Sequence, residues 1–382
     1  MAWDTLVIRW WQRILIPIAL FSLFICLIWT FGGTGVHPAT TLLASKDSSL
    51  RSFLSAPSAS STRPSWHGDA FTQAVKSLYD PILHPITAPN YTDDANTYYI
   101  TGEPMYTTSF GKRLLVLDID TRPMTDDGQV RSQNVHWPGM EPMAAGFLSH
   151  YLYAIIHGYD YRFVRAPEYP DRHLTWAKVP MLRDALKEYE FVVFLDQDAM
   201  FHRPHIPLEW LMNHWNHTSE TSLMVAKDPD NPHNTDSNGN LFWNTGFIIA
   251  QNSSRLHELF DAWIECPRDT TSPGCSHYAY NWPHEQGALR TFIQQGLFNR
   301  SEDIHPVPCA EANGSPWTLD SDGAGCGGVF VRHFWTNGKP HPPEELAENV
   351  MHYFVQQLHE SFLTQGQHVF ADVSGQNEPK RR

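Results

Sequence analysis

From residue 111 onward the chain repeats one arrangement of hydrophobic positions. A short unbroken apolar run gives way to a polar break, then to a longer stretch with apolar residues three and four apart. Residues 113–119 read as a first buried strand. Residues 143–157 have helical spacing, and Gly158 stands where a left-handed residue would end that helix. A second strand is expected over 161–164, a helix over 175–188 and a third strand over 192–195. Residues 247–250 and 254–264 repeat strand and helix, a further helix runs from 282 to 295, and 328–331 is a last short strand. Strands alternating with helices predict an α/β domain over 111–374, with a mixed, mostly parallel sheet between helices.

The run 191–201 ends in chemistry. Val192 to Leu195 is unbroken and β-rich, as in a strand covered on both faces, and it delivers Asp196 and Asp198. Ligands of open α/β sheets sit at the carboxyl ends of such strands. Residues two apart in extended chain point to one side, so both carboxylates can address one divalent cation. Oxygen ligands suit Mn²⁺ or Mg²⁺, ions that also bind substrate phosphates. Near the other end, His333 follows an apolar run and can complete that shell. Gly338 permits close backbone approach, and Lys339 offers a point charge to a phosphate. His202 and His205 stand among prolines and read as surface residues.

Two further segments carry polar groups. Glu285 and Gln286 open the helix from Trp282. An acid in a first turn is favoured by the helix dipole alone; its other role is at the reacting centre or on a sugar hydroxyl. Asn244-Thr-Gly246 reads as a turn feeding a strand, able to hydrogen-bond a substrate or only to shape its loop. Asn234, Asp236 and Asn238 echo a calcium loop, but Thr245 stands where the closing acid belongs, which excludes calcium.

The N-terminal pattern sets the surroundings. Residues 14–31 are 18 uncharged, apolar positions, close to the least that spans a bilayer. Arg9 and Arg13 precede them and no charge follows until Lys46, which puts residues 1–13 in the cytosol. The alternative is a cleaved signal peptide; either sends the rest into the secretory lumen. Five acceptor sequons, at Asn90, Asn216, Asn252, Asn299 and Asn313, fit that compartment. So do Cys266, Cys275, Cys309 and Cys326, whose local pairing closes two short loops. Residues 32–110 are expected as stem and linker, Ser-, Thr- and Pro-rich at first, and 375–382 as a polar tail. The net charge of −14 argues against nucleic acid as a partner, because phosphates want a basic face.

Together these residues resemble the fungal and plant α-galactosyl-, mannosyl- and xylosyltransferase family, glycosyltransferase family 34. The matching blocks are 151–161 with its His-Gly-Tyr, Trp176-Ala-Lys178-Val-Pro, Leu195-Asp-Gln-Asp-Ala, Asn244-Thr-Gly246, His284-Glu-Gln-Gly-Ala-Leu and His333-Phe, in the family's order. The resemblance implies a single-pass type II Golgi membrane protein with a nucleotide-sugar-binding GT-A fold. It implies Mn²⁺ or Mg²⁺ held by Asp196, Asp198 and His333 on a donor diphosphate, with Lys178 as a donor contact. Glu285 and Gln286 fall where the family has an acid, usually Asp, followed by Gln near the acceptor. The implied activity is retaining transfer of a hexose, galactose or mannose, from a nucleotide diphosphate sugar to a glycan hydroxyl on an N-glycan, mannan or other polysaccharide. The implied partners are that donor, that acceptor, the Golgi membrane and other transferases in a complex. Two features depart from the family: Glu at 285, and Trp335-Thr-Asn-Gly338-Lys339 where Gly-Cys often follows His-Phe. The second is similar to glycogenin-like transferases, whose late His and Gly-x-x-Lys grip the diphosphate. The rival class is an inactive glycan-binding or scaffold protein on a transferase fold; intact Asp196, Asp198 and His333 argue against it.

Overall fold

A computed structural model describes residues 68–318 and 325–371. The expected anchor at 14–31, most of the stem and the 375–382 tail lie outside the described residues. Among those described, no helix is long and apolar enough to cross a membrane.

In chain order the elements are helix α1 (Gly68–Tyr79), a hairpin of β1 (Asn90–Thr92) and β2 (Thr97–Tyr99), β3 (Leu114–Asp120), α2 (Pro142–His157), β4 (Asp160–Arg165), α3 (Lys178–Ala185), β5 (Phe191–Leu195), β6 (Ala199–Phe201), α4 (Leu208–His214), β7 (Leu223–Lys227), β8 (Trp243–Gln251), α5 (Ser254–Glu265), α6 (His284–Ala288), β9 (Ile304–Val307), β10 (Val331–His333) and α7 (Pro342–Thr364). Six strands form the central sheet in the order β4-β3-β5-β8-β7-β9. β3 runs parallel to β4 and β5, and β7 parallel to β9; β8 is antiparallel to both its neighbours. The sheet is therefore mixed and mostly parallel. Every residue of β5 is buried, as its apolar run requires. One face packs on α3 and α5 through Leu182, Leu256 and Trp263, the other on α4 through Trp210 and Leu211.

Local signals explain the helix ends. α2 starts with Pro142 at its first turn and ends at Gly158, whose φ of 74° lets its N–H reach back to the helix carbonyls. Ser253 caps α5 by accepting from the Leu256 N–H at 3.1 Å. The disulfides are Cys266–Cys275 and Cys309–Cys326, the local pairing.

Several boundaries differ from expectation. The segment 174–188 begins with a 3₁₀ turn, Leu174–Ala177, and its helix ends at Ala185. Helix α6 passes into a π segment, Leu289–Leu297. β10 begins where the expected 328–331 strand ends and pairs antiparallel with β6. Asn244, Thr245 and Gly246 lie inside β8, not in a turn before it. A register shift between Val225 and Ala226 in the paired β7 lets the Asn244 side chain accept from Gly246 N at 2.8 Å, so one strand contains a local turn. Residues 68–110 are part of the packed domain rather than stem. Val75 and Tyr79 of α1 are buried with Ile156 and Tyr353, and Phe110 stacks on Phe191 at 4.3 Å. Apolar side chains this well covered hold their segment to the core.

Candidate active site

At the carboxyl end of β5 the chain turns at once. Asp196 N–H donates to the Gly246 carbonyl at 2.8 Å, and Ala199 N–H closes back on the Asp196 carbonyl at 2.8 Å. Both carboxylates thus reach one site through a turn, not through the extended chain expected. β6 leads directly out of this turn and pairs with β10, placing His333 opposite Ala199. Ligand atoms of Asp196, Asp198 and His333 lie within 4.8 Å of one another, and His333 Nε2 is 3.2 Å from Asp198 Oδ1. A hexacoordinate ion with ligands at about 2.1 Å needs ligand atoms roughly this close. Asn313 Oδ1 faces His333 Nδ1 at 3.1 Å, which fixes the ring and leaves Nε2 for the site. A Cβ on Gly246 would lie 2.2 Å from His333 Cε1, so only glycine admits the imidazole there. The donor set fits a divalent cation such as Mn²⁺ or Mg²⁺.

The turn is held from behind by residues that the sequence pattern did not single out. A Cβ on Gly146 of α2 would lie 1.9 Å from the Gln197 carbonyl oxygen; glycine brings the helix against the turn. One turn later, buried His150 faces Asp118 at 2.7 Å and the Ala199 carbonyl at 2.5 Å. Burial opposes charge on this imidazole, but Asp118 and the carbonyl outweigh it and hold its pKa above the ordinary value. His202 is buried, contrary to the surface placement expected from its prolines. It is 2.6 Å from Glu345 of α7, which also takes Arg332 of β10. His205 is half-buried and bonds Tyr353.

Beside the acidic turn lies a second buried charge network. Lys178 Nζ is 2.8 Å from Asp196 Oδ1 and 3.2 Å from Glu285 Oε1. Thr245 Oγ1 donates to Glu285 Oε1 at 3.0 Å, while Glu285 Oε2 is buried and makes no hydrogen bond. Burial resists ionisation of Glu285, but the Lys178 ammonium prevails and keeps its carboxyl below the ordinary range. Glu285 thus spends its hydrogen bonds on Lys178 and Thr245. Gln286 Nε2 donates to Asp228 Oδ2 at 3.1 Å, and its Oε1 takes Thr245 N–H at 3.4 Å. Asp228, unnoticed in the sequence, also accepts from Asn244 Nδ2 at 2.9 Å and Asn313 Nδ2 at 3.4 Å.

These groups open on two joined hollows. One of about 400 Å³ runs along the ends of β3 and β5, past Asp120, Arg122, Lys178 and Asp196. The other, about 480 Å³, is walled by Asp196, Asp198, Asp228, Trp282, Glu285, His333 and Lys339. Lys339 is exposed at this wall, and its charge favours the Asp198 carboxylate. Gly338 lies instead within the turn, where a Cβ would press Ser315 Oγ and Phe334 Cβ at 3.2 and 3.3 Å; close packing accounts for the glycine.

Residues 149–300 match the sequence pattern of the galactosyl transferase GMA12/MNN10 family. The match covers less than half of the chain and identifies that segment as glycosyltransferase-like in sequence. No curated protein matches the chain. Among solved structures it is similar to a glycosyltransferase involved in glycosylation of the major capsid of PBCV-1, at 10% identity and TM-score 0.43, over 61% of this chain and 98% of that one. It is also similar to mouse xyloside xylosyltransferase 1 in its apo form, at 11% identity and TM-score 0.37, over 60% and 99%. A third likeness is to an active-site mutant of LgtC, at 13% identity and TM-score 0.36, over 63% and 95%.

Of the expected site residues, the glycosyltransferase segment 149–300 contains Lys178, Asp196, Asp198, Asn244, Gly246, Glu285 and Gln286. His333, Gly338 and Lys339 fall beyond it, and pairing of β10 with β6 is what brings His333 in. The sequon at Asn313 is spent inside this site. Its side chain is fully buried and holds both Asp228 and His333, whereas Asn90, Asn216, Asn252 and Asn299 are exposed.

Proposed function

We propose that the protein is a metal-dependent hexosyltransferase with a nucleotide-diphospho-sugar (GT-A) fold. It takes galactose or mannose from a nucleotide diphosphate sugar, with retention, and delivers it to a glycan hydroxyl. The observation that carries this is the convergence of Asp196, Asp198 and His333 in a cleft that Glu285 and Lys339 also line. A divalent ion, Mn²⁺ or Mg²⁺, held there would neutralise charge on the leaving diphosphate. Lys339 adds a second positive charge on the same side. Lys178 keeps Glu285 ionised, and the free Oε2 of Glu285 accepts a hydrogen bond from a sugar hydroxyl while a diphosphate is repelled from it. Asp228 fixes the amides of Asn244 and Gln286, which line the space for the transferred sugar. The incoming acceptor hydroxyl is the nucleophile.

The same reading makes the chain a single-pass type II Golgi membrane protein with this domain in the lumen. The apolar span at 14–31, four exposed sequons and two disulfides support it. The test is sugar release from a panel of nucleotide sugars, with and without Mn²⁺. We expect metal-dependent release from one donor, and its loss in Asp198→Asn with the melting temperature kept. Release that ignores both chelator and Asp198→Asn would sink the assignment.

A further inference from the structure

The cleft continues past the reacting centre. On the far side of Trp282 and Pro283 lies a further hollow of about 480 Å³, which shares those two residues as a wall with the cleft that holds Glu285. Its polar rim includes Ser237 and His277, and its floor includes Tyr278. It has no residue in common with the hollow beside Asp120 and Arg122 at the ends of β3 and β5. The three spaces therefore follow one another, with the metal-binding cluster and Glu285 in the middle.

The wall between the last two is built to present an aromatic face. Trp282 is 58% exposed, yet it is not loose: its ring stands edge-on against buried Phe242 at 6.0 Å and 88°, and Phe242 meets Tyr278 at 6.4 Å and 89°. An exposed indole fixed by packing offers apolar area at small entropic cost. The rim is also fixed. Asp236 accepts from Asn238 N–H at 2.9 Å, from Asn240 N–H at 2.8 Å and from Gln295 Nε2 at 3.2 Å, which sets the loop that carries Ser237. The Ser237 side chain engages no protein group and is exposed. Apolar ring faces beside polar rims match a pyranose, which has an apolar C–H face and a border of hydroxyls.

We infer that the hollow beyond Trp282 is an extension subsite for the acceptor, and that the acceptor is an oligosaccharide laid across the Trp282 ring rather than a single sugar. This rests on the glycosyl-transfer reading of the cleft and adds to it where the acceptor runs. The end of the acceptor that receives the sugar sits by Glu285, and the preceding units pass over Trp282 toward Ser237 and His277. The donor nucleotide takes the opposite end, by Asp120 and Arg122.

The test uses the full-length purified protein with Mn²⁺, the nucleotide sugar it hydrolyses, and ladders of mannose, glucose and galactose oligomers from monosaccharide to hexasaccharide. Sugar release by the wild type without acceptor is measured first; its absence defeats the underlying reading. Given release, we expect KM to fall with chain length in at least one ladder. Trp282→Ala should erase about tenfold of that gain, and Trp282→Phe should restore most of it. His277→Ala, on the far side of the wall, should act on long acceptors only. Sugar release without any gain from chain length in every ladder, or a gain untouched in Trp282→Ala, would overturn the subsite.

Discussion

Lys178 is the cation on which two buried carboxylates depend, and replacing it with methionine isolates its charge. Methionine keeps most of the aliphatic stem and removes the ammonium, which lies 5.0 Å from the Phe194 ring centroid, 2.8 Å from Asp196 and 3.2 Å from Glu285. The two arms differ. The Asp196 side chain is 33% exposed, so water screens its loss. Glu285 is 3% exposed and would be left as an uncompensated internal anion. Removing one partner of such a pair costs about 3–5 kcal/mol. At roughly 2–3 °C per kcal/mol for a domain of this size, Lys178→Met should melt roughly 6–15 °C lower at pH 7.5. Adding Glu285→Gln should return most of that, since an amide needs no cation. The sign of the pH effect should also invert. In the wild type the depressed Glu285 carboxyl contributes stability above the ordinary carboxylate range, lost only as pH falls through its lowered value. Without Lys178 burial outweighs the remaining hydrogen bonds, Thr245 among them, and raises that pKa, so the variant should lose stability as pH rises from 5 to 7.5. Thermal melts of the purified single and double variants at both pH values decide it. A single variant within about 2 °C of wild type, or a double variant no better than the single, would refute the charge-compensation account.

Two further outcomes follow from the geometry around the cluster. In Gly246→Ala the new methyl, 2.2 Å from His333 Cε1, must displace the imidazole, so the Mn²⁺ concentration for half-maximal sugar release should rise about 10- to 100-fold; an unchanged metal titration would remove Gly246 from the site. Burial pushes the Asp228 carboxyl up to about 6, against the pull of Asn244, His333, Asn313 and Gln286. A raised carboxyl contributes stability below its ordinary value that is lost as pH rises through about 6; the melting temperature of wild type relative to Asp228→Asn should therefore fall between pH 5 and 7, and parallel profiles would contradict it.

What the sequence made legible was local and strongly patterned. The run Phe191–Leu195 is apolar throughout because β5 is covered on both faces, and Asp196 announces itself by ending that run. Helix α2 is readable from its spacing and from Gly158. β9 was hidden because Pro306 argues against a strand, and it survives only as the sheet's outer strand, where one missing donor is tolerated. β7 is only five residues long, too short for its pattern to stand out, although Asp228 and Pro229 mark its end. The site's supports were hidden by distance along the chain. Glu345 reaches His202 across 143 positions and Lys178 meets Glu285 across 107, separations at which no periodicity carries information. Gly146 and Gly246 look like ordinary glycines until the atoms that a Cβ would strike are known.

Two buried ion pairs and one histidine–carboxylate hydrogen bond surround the acidic turn, each tying it to a remote element: His150 of α2 with Asp118 of β3, Lys178 of α3 with Glu285 of α6, and His202 next to β6 with Glu345 of α7. Internal pairs of this kind contribute little net stability against a packed apolar alternative, because desolvation offsets their attraction. Their value here is geometric. Two neighbouring carboxylates with no cation between them repel each other, and the turn bearing them leads into β6, which is only three residues long. Fixing that turn from three directions keeps Asp196 and Asp198 in place against their own repulsion. Glu285 fits the same logic. An aspartate would end one methylene short, about 1.5 Å, and with the helix fixed its oxygen would leave Lys178 and Thr245 beyond hydrogen-bond reach. The longer acid at this position is therefore the one that joins α6 to α3 and β8 while leaving one buried oxygen without a partner.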